Sequence, residues 1–166
     1  MKMQLFLMQH GTALSEEQDA ERPLSRFGIE QVRKSAAGVR RLLQGFDLIA
    51  CSPKRRAHQT AALVAEAVRF PYSDILVSEA FLPKAEPDEV MSLLDREAGG
   101  SRILLVGHQP CLGRLAACLL QGGEVRFENA GLCALRRIAA DQSAILDFLL
   151  TAEHLAGLGA SRISGS

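Results

Sequence analysis

The sequence predicts an α/β domain in which a mainly parallel sheet is covered by helices on both faces. Three observations carry this. Leu5-Phe6-Leu7-Met8, Leu48-Ile49-Ala50 and Ile103-Leu104-Leu105-Val106 are short, nearly continuous apolar runs, as expected of strands buried on both sides. Helical periodicity fills the segments between them. Strand and helix therefore alternate, which in one sheet implies right-handed crossovers.

Each element has its own signal. After the first strand, Ile29, Val32, Ala36, Val39 and Leu43 recur at three- and four-residue steps, with Arg33, Lys34, Arg40 and Arg41 on the other faces. After the second strand, Ala57, Thr60, Ala61, Val64 and Val68 repeat the pattern up to Pro71. Asp88 to Glu97 reads as a third helix, stopped by Gly99-Gly100, and Leu112 to Leu120 as a fourth, stopped by Gly122-Gly123. Leu132 to Arg137 and Ala144 to Leu150, joined by a polar turn around Asp141, predict a closing hairpin. Residues 1–155 are expected to form a single domain, and the Gly/Ser-rich residues 156–166 a flexible tail.

Composition sets outer bounds. A chain of 166 residues suits one domain with a sizeable core. Nineteen Lys plus Arg balance nineteen Asp plus Glu, so no general basic surface is expected to hold nucleic acid. No apolar stretch approaches the ~20 residues that span a bilayer, and no secretory signal is read at the N-terminus. The four cysteines, Cys51, Cys111, Cys118 and Cys133, form no C-x-x-C pair and have no metal-ligand spacing. Reduced thiols in a cytoplasmic protein, with no membrane partner, are the expectation.

The chemistry sits where the apolar runs end. Gln9-His10-Gly11-Thr12 follows the first, Ser52-Pro53-Lys54-Arg55-Arg56-Ala57-His58-Gln59-Thr60 the second, and Gly107-His108-Gln109-Pro110 the third. Ligands of an open parallel sheet bind beyond the carboxyl ends of its strands. Two histidines and several arginines are thus predicted to converge on one edge, where arginine forks and helix N-termini favour an anion such as phosphate. Several phosphate chemistries are excluded. There is no G-x-x-x-x-G-K-[ST] loop. A Cys-x5-Arg loop would need arginine at positions held by Ala57, Ala117, Glu124 and Ala139. No Asp-x-Asp follows a strand to hold magnesium or accept phosphate. Histidine is the remaining nucleophile, and neither metal nor cofactor is expected.

These residues resemble the histidine phosphatase superfamily, the phosphoglycerate-mutase-like fold, and within it the small SixA-type phosphohistidine phosphatases. The similarity runs from Met3 to about Leu150. It rests on His10-Gly11, Arg22-Pro23-Leu24-Ser25 before Gly28, Ser52-Pro53-x-x-Arg56-Ala57-x-Gln59-Thr60 and Val106-Gly107-His108-x-Pro110. The resemblance implies a three-layer α/β/α sandwich with a mainly parallel sheet. It implies that His10 accepts the phosphoryl group and later yields it to water, while Arg56 and His108 clamp the phosphoryl oxygens. Arg22 would line the same phosphate-binding pocket, and nearby arginines would help keep His10 neutral. His58 and His154 match no motif position and are expected to face solvent.

One position departs from the family pattern Arg-His-Gly: residue 9 is Gln9. A neutral amide replaces a charged fork in the phosphate-binding set. Loss of one such donor typically costs ~2.7–4 kcal/mol of transition-state stabilisation, or roughly 10²–10³ in rate. Arg22 or Arg55 is the candidate substitute. No carboxylate occupies a recognisable general-acid position; Glu79, Glu86 and Asp88 are read as solvated loop and helix-start residues. The imidazole leaving group of a P–N bond needs less protonic help than an alkoxide. The expected activity is therefore metal-independent removal of phosphate from phosphohistidine on a signalling or phosphotransfer protein. The short chain leaves little room for a lid, so an open site is expected. The alternatives are a catalytically weakened phosphate- or phosphohistidine-binding module, and a broad phosphomonoesterase acting on small phosphate esters.

Overall fold

A computed structural model describes residues 3–97, 102–137 and 143–161. The expected Gly99-Gly100 stop, the turn around Asp141 and residues 162–166 of the expected tail lie outside these. The elements in chain order are β1 (Gln4–Gln9), α1 (Arg26–Leu42), β2 (Leu48–Cys51), α2 (Arg55–Val68), β3 (Leu76–Val77), α3 (Pro87–Glu97), β4 (Arg102–Gly107), α4 (Cys111–Leu119), β5 (Leu132–Arg137), β6 (Ala144–Leu150) and α5 (Ala152–Ala160).

The sheet order is β3-β2-β4-β1-β5-β6. The first four strands are parallel, β5 pairs antiparallel with β1, and β6 pairs antiparallel with β5. Alternation along each strand divides the core. Phe6 and Met8 of β1 pack with Val32, Ala36 and Val39 of α1, Ala61 and Val64 of α2, and Leu155 of α5. Leu5 and Leu7 face the other way, toward Val90 and Leu94 of α3 and Leu112 and Leu115 of α4. This is the helix-covered sheet that the apolar runs predicted, in the three-layer α/β/α form that the resemblance implies. Among the described residues, no helix is long and apolar enough to cross a membrane.

Register places the site. Gln9 pairs with Gly107 and Cys51 with Val106, so His10, Ser52 and His108 leave the sheet side by side at its carboxyl edge. The loop after β1 is fixed by close packing. A Cβ on Gly28 would lie 1.9 Å from the Thr12 carbonyl oxygen, and one on Gly11 2.5 Å from Val32 Cγ2. Ser25 caps α1 by accepting the Gly28 N–H at 2.9 Å, a cap worth about 1 kcal/mol.

Two described elements lie outside the sequence reading. The edge strand β3, only two residues long, is too short for a periodic signal. The tail does not begin at 156: residues up to Ala160 form α5. Thr151 opens this helix with a reciprocal cap, its hydroxyl accepting the His154 N–H at 3.2 Å while His154 Nδ1 accepts the Thr151 N–H at 3.3 Å. Leu155 is fully buried. Of the glycines that suggest fraying, Gly159 is a contact point instead, because a Cβ there would meet Ala37 Cβ at 2.8 Å.

Candidate active site

His10 lies just beyond β1 with both ring nitrogens engaged. Nδ1 donates to the Gly11 carbonyl oxygen at 2.7 Å, and Nε2 receives the Nε–H of Arg56 at 3.2 Å. A carbonyl can only accept and a guanidinium can only donate. Both contacts therefore assign the same tautomer, with the proton on Nδ1 and the lone pair on Nε2. That lone pair is the nucleophile such chemistry needs.

Arg56 is in the first turn of α2, and its helix is anchored to both neighbouring loops. Thr60 Oγ1 accepts the Gly11 N–H at 3.0 Å and donates to the Arg56 carbonyl at 2.8 Å. Gln59 Oε1 accepts the Leu24 N–H at 2.7 Å. The polar residues of the second motif are thus struts between α2 and the segments carrying His10 and Arg22. Arg56 is only 9% exposed, so its guanidinium has little freedom to leave the site.

His108, at 2% exposure, follows β4, with its ring centroid 5.1 Å from that of His10 and the planes at 59°. Its Nε2 is 2.8 Å from Ser52 Oγ. Nδ1 is buried and has no hydrogen-bond partner among the described residues.

The electrostatics favour neutral imidazoles. His10 is lowered to about 4, first by burial, with Arg56 and Arg22 adding to the effect and the Gly11 hydrogen bond opposing it. Burial, rather than the expected arginine repulsion, is thus the larger cause. His108 is lowered to about 3 by burial, then by His10, Arg56, Lys54 and Arg22. Arg56 is lowered from its ordinary value by burial and by Arg22. No carboxylate is among the groups that shift any of the three. Glu86 instead pairs with Arg114 at 3.7 Å, and Glu79 and Asp88 line a separate groove with Lys84 and Arg96.

The remaining predicted residues divide. Arg22 is exposed, in a left-handed conformation (φ 47°), and its Nε donates to the Leu14 carbonyl at 3.2 Å. Its charge nevertheless acts on His10, Arg56 and His108. Arg55 is turned to the surface and pairs with Glu21 at 2.9 Å. Of the two candidate substitutes, Arg22 is the one beside the site. A polar groove of about 560 Å³, lined by Arg22, Lys54, Arg56 and Glu21 among others, opens to solvent there.

The Gln9 side chain is engaged by Asn129. Its Nε2 donates to Asn129 Oδ1 at 2.8 Å, and Asn129 Nδ2 donates to Thr12 Oγ1 at 3.4 Å. Gln9 Oε1 is buried with no partner among the described residues. Asn129 was invisible to sequence reasoning because it stands in an irregular segment with no motif. His58 is half-buried rather than solvent-facing, edge-on to Tyr72 with centroids 5.5 Å apart. His154 is exposed, as expected, and caps α5. Among the described residues there is no group of three or more His, Cys, Asp or Glu suited to a metal ion.

Comparison with known proteins places this arrangement. Residues 5–77 match the histidine phosphatase superfamily (branch 1), a span that includes His10 and Arg56. A protein of Picosynechococcus sp., described as uncharacterized, is 31% identical over 160 residues, covering 90% of this chain and 96% of that protein. The structure of the protein histidine phosphatase SixA complexed with tungstate superposes with a TM-score of 0.82 at 25% identity, covering 92% of this chain and 99% of that one. A structure proposed to be the phosphohistidine phosphatase SixA of Nakamurella multipartitia gives 0.73 at 22% identity, covering 90% and 95%, and supports the fold alone.

Proposed function

The chain belongs to the histidine phosphatase superfamily as a SixA-type phosphatase, and on that premise we propose that it hydrolyses phosphohistidine on a signalling or phosphotransfer protein. The observation that carries this reading is the pairing of a neutral His10, lone pair on Nε2, with Arg56 and His108 around one point. In the first step Nε2 of His10 attacks phosphorus, the substrate P–N bond breaks, and the electron pair leaves with the substrate imidazole, which takes a proton from solvent water in the open groove. Arg56, released from Nε2 by the incoming group, holds the phosphoryl oxygens together with His108. Water then attacks the phosphoryl group on His10, giving phosphate and restoring the lone pair. An imidazole leaving group suits a site whose histidines and arginine feel no nearby carboxylate. An open groove suits a side chain presented by another protein.

The test uses a phosphohistidine-bearing phosphotransfer protein with chelator present. Phosphate release is expected from wild type and is abolished in His10→Ala. Unchanged turnover in that variant would sink the proposal.

One observation favours a second reading. Gln9 supplies no charge, and its amide nitrogen is engaged by Asn129, so a weakened phosphate-binding module remains the alternative. It predicts tight phosphohistidine binding with negligible hydrolysis. A broad phosphomonoesterase would instead prefer small phosphate esters, whose alkoxide leaving groups call for an acid.

A further inference from the structure

We infer that Ser52 is a positioning residue whose hydroxyl donates to Nε2 of His108 and thereby keeps the His108 proton on Nδ1. The inference rests on the reading of His108 as a phosphoryl clamp, but it concerns a different residue and a different bond.

Ser52 is fully buried. Its N–H donates to the Val106 carbonyl at 3.2 Å, which fixes it against the end of β4, the strand that carries His108. Its hydroxyl oxygen has two polar neighbours among the described residues: the Lys54 N–H at 3.3 Å and His108 Nε2 at 2.8 Å. The Lys54 N–H can only donate, so it occupies a lone pair of the hydroxyl. The hydroxyl proton then has one acceptor within reach, Nε2 of His108. With the proton of His108 on Nδ1, every group in this set of hydrogen bonds is satisfied except the Nδ1–H itself, which has no partner among the described residues. The opposite arrangement fails twice. An Nε2–H directed at Ser52 would leave a fully buried hydroxyl proton without an acceptor. It would also leave a lone pair on Nδ1, the only ring nitrogen free to meet a phosphoryl oxygen, and two lone pairs repel.

The two histidines thus carry their protons on the same atom for opposite uses. In His10 the Gly11 carbonyl holds the proton on Nδ1 so that Nε2 can attack. In His108 the Ser52 hydroxyl holds it on Nδ1 so that Nδ1 can donate. Burial keeps the His108 ring neutral, and only for a neutral ring does the choice of tautomer matter.

The tautomer is measurable directly, without substrate, from long-range proton–nitrogen correlation spectra of ¹⁵N-histidine-labelled protein at neutral pH, with His108 assigned by the signals lost in His108→Asn. In wild type, His108 is expected to show a protonated Nδ1 and a bare Nε2. In Ser52→Ala, the proton is expected to appear on Nε2 in a substantial fraction of molecules. Hydrolysis of the phosphohistidine protein by Ser52→Ala should show kcat reduced by up to roughly 10²–10³-fold, the scale of one lost donor, with KM nearly unchanged. A protonated Nε2 in wild type overturns the inference, and so does a Ser52→Ala spectrum that keeps the proton on Nδ1, whatever its kinetics. Should Ser52→Ala fail to fold, the wild-type spectrum decides alone. Inactivity of wild type toward phosphohistidine would overturn the functional proposal and leave the spectroscopic result standing.

Discussion

An arginine at position 9 would offer five donors and a full charge; Gln9 offers two donors, and one bonds Asn129 across 120 residues of chain. Gln9→Arg is therefore expected to raise kcat by as much as roughly 10²–10³-fold if its guanidinium reaches the phosphoryl oxygens. Steady-state hydrolysis of phosphohistidine protein checks this, and a wild type already as fast as the variant would dispose of the weakened-module reading. Arg22→Ala should lower turnover further, because Arg22, unlike Arg55, is close enough to act on all three central residues. At the same scale, the lowered His10 value sets the pH profile. Attack requires neutral Nε2, and His10 stays neutral from pH 7 down to about 4. The acid limb of kcat/KM should thus fall near pH 4 rather than near the ordinary ~6.5 of histidine. A limb at 6.5, after subtraction of spontaneous hydrolysis, would refute the buried, neutral nucleophile.

At the level of elements, two glycines of α1 separate stability from chemistry. A Cβ on Gly28 would collide with the Thr12 carbonyl, two residues after His10, and one on Gly38 with the Leu155 carbonyl of α5 at 2.0 Å. Both contacts are to backbone, which cannot swing aside as a flexible side chain does. Alanine at either position should destabilise by about 1–3 kcal/mol through overpacking, which for a domain of this length lowers Tm by several degrees. Only Gly28→Ala should also lose activity per folded molecule, because only that collision displaces the loop holding His10. Equal activity loss in the two variants, measured well below their Tm, would disprove this division. α5 also marks a limit of local sequence reading. Gly157 and Gly159 lower intrinsic helix propensity, but the close approach to α1 that Gly159 permits stabilises the helix where propensity alone predicts fraying.

For the molecule as a whole, neutral buried histidines link folding to pH. Both rings bind protons less readily in the folded chain than in the unfolded one, where they titrate near 6.5. Between pH 6.5 and about 4 the unfolded chain holds more protons. Stability is therefore complete above 6.5 and falls on acidification, by at most about 1.4 kcal/mol per pH unit for each histidine. His108, almost fully buried, should account for more of this than the partly exposed His10. Urea midpoints are expected to be lower at pH 5 than at pH 7.5, a window above the ordinary carboxylate range, and His108→Asn should narrow that difference. An unchanged difference would assign the effect elsewhere. The layered architecture and the carboxyl-edge location of the site were legible in the sequence, because burial on both faces dictates continuous apolar strands and the polar residues after them have nowhere else to go. Those constraints act within a few residues of each other along the chain. The partners of the site residues are different in kind: Gln9 meets Asn129, and Ser52 meets His108 across 56 residues. Such pairs depend on strand order, which brings β4 between β1 and β2 and the segment before β5 against the end of β1. Local sequence determined which groups arrive at the edge; only the tertiary structure decided which lone pair stays free and which proton is held.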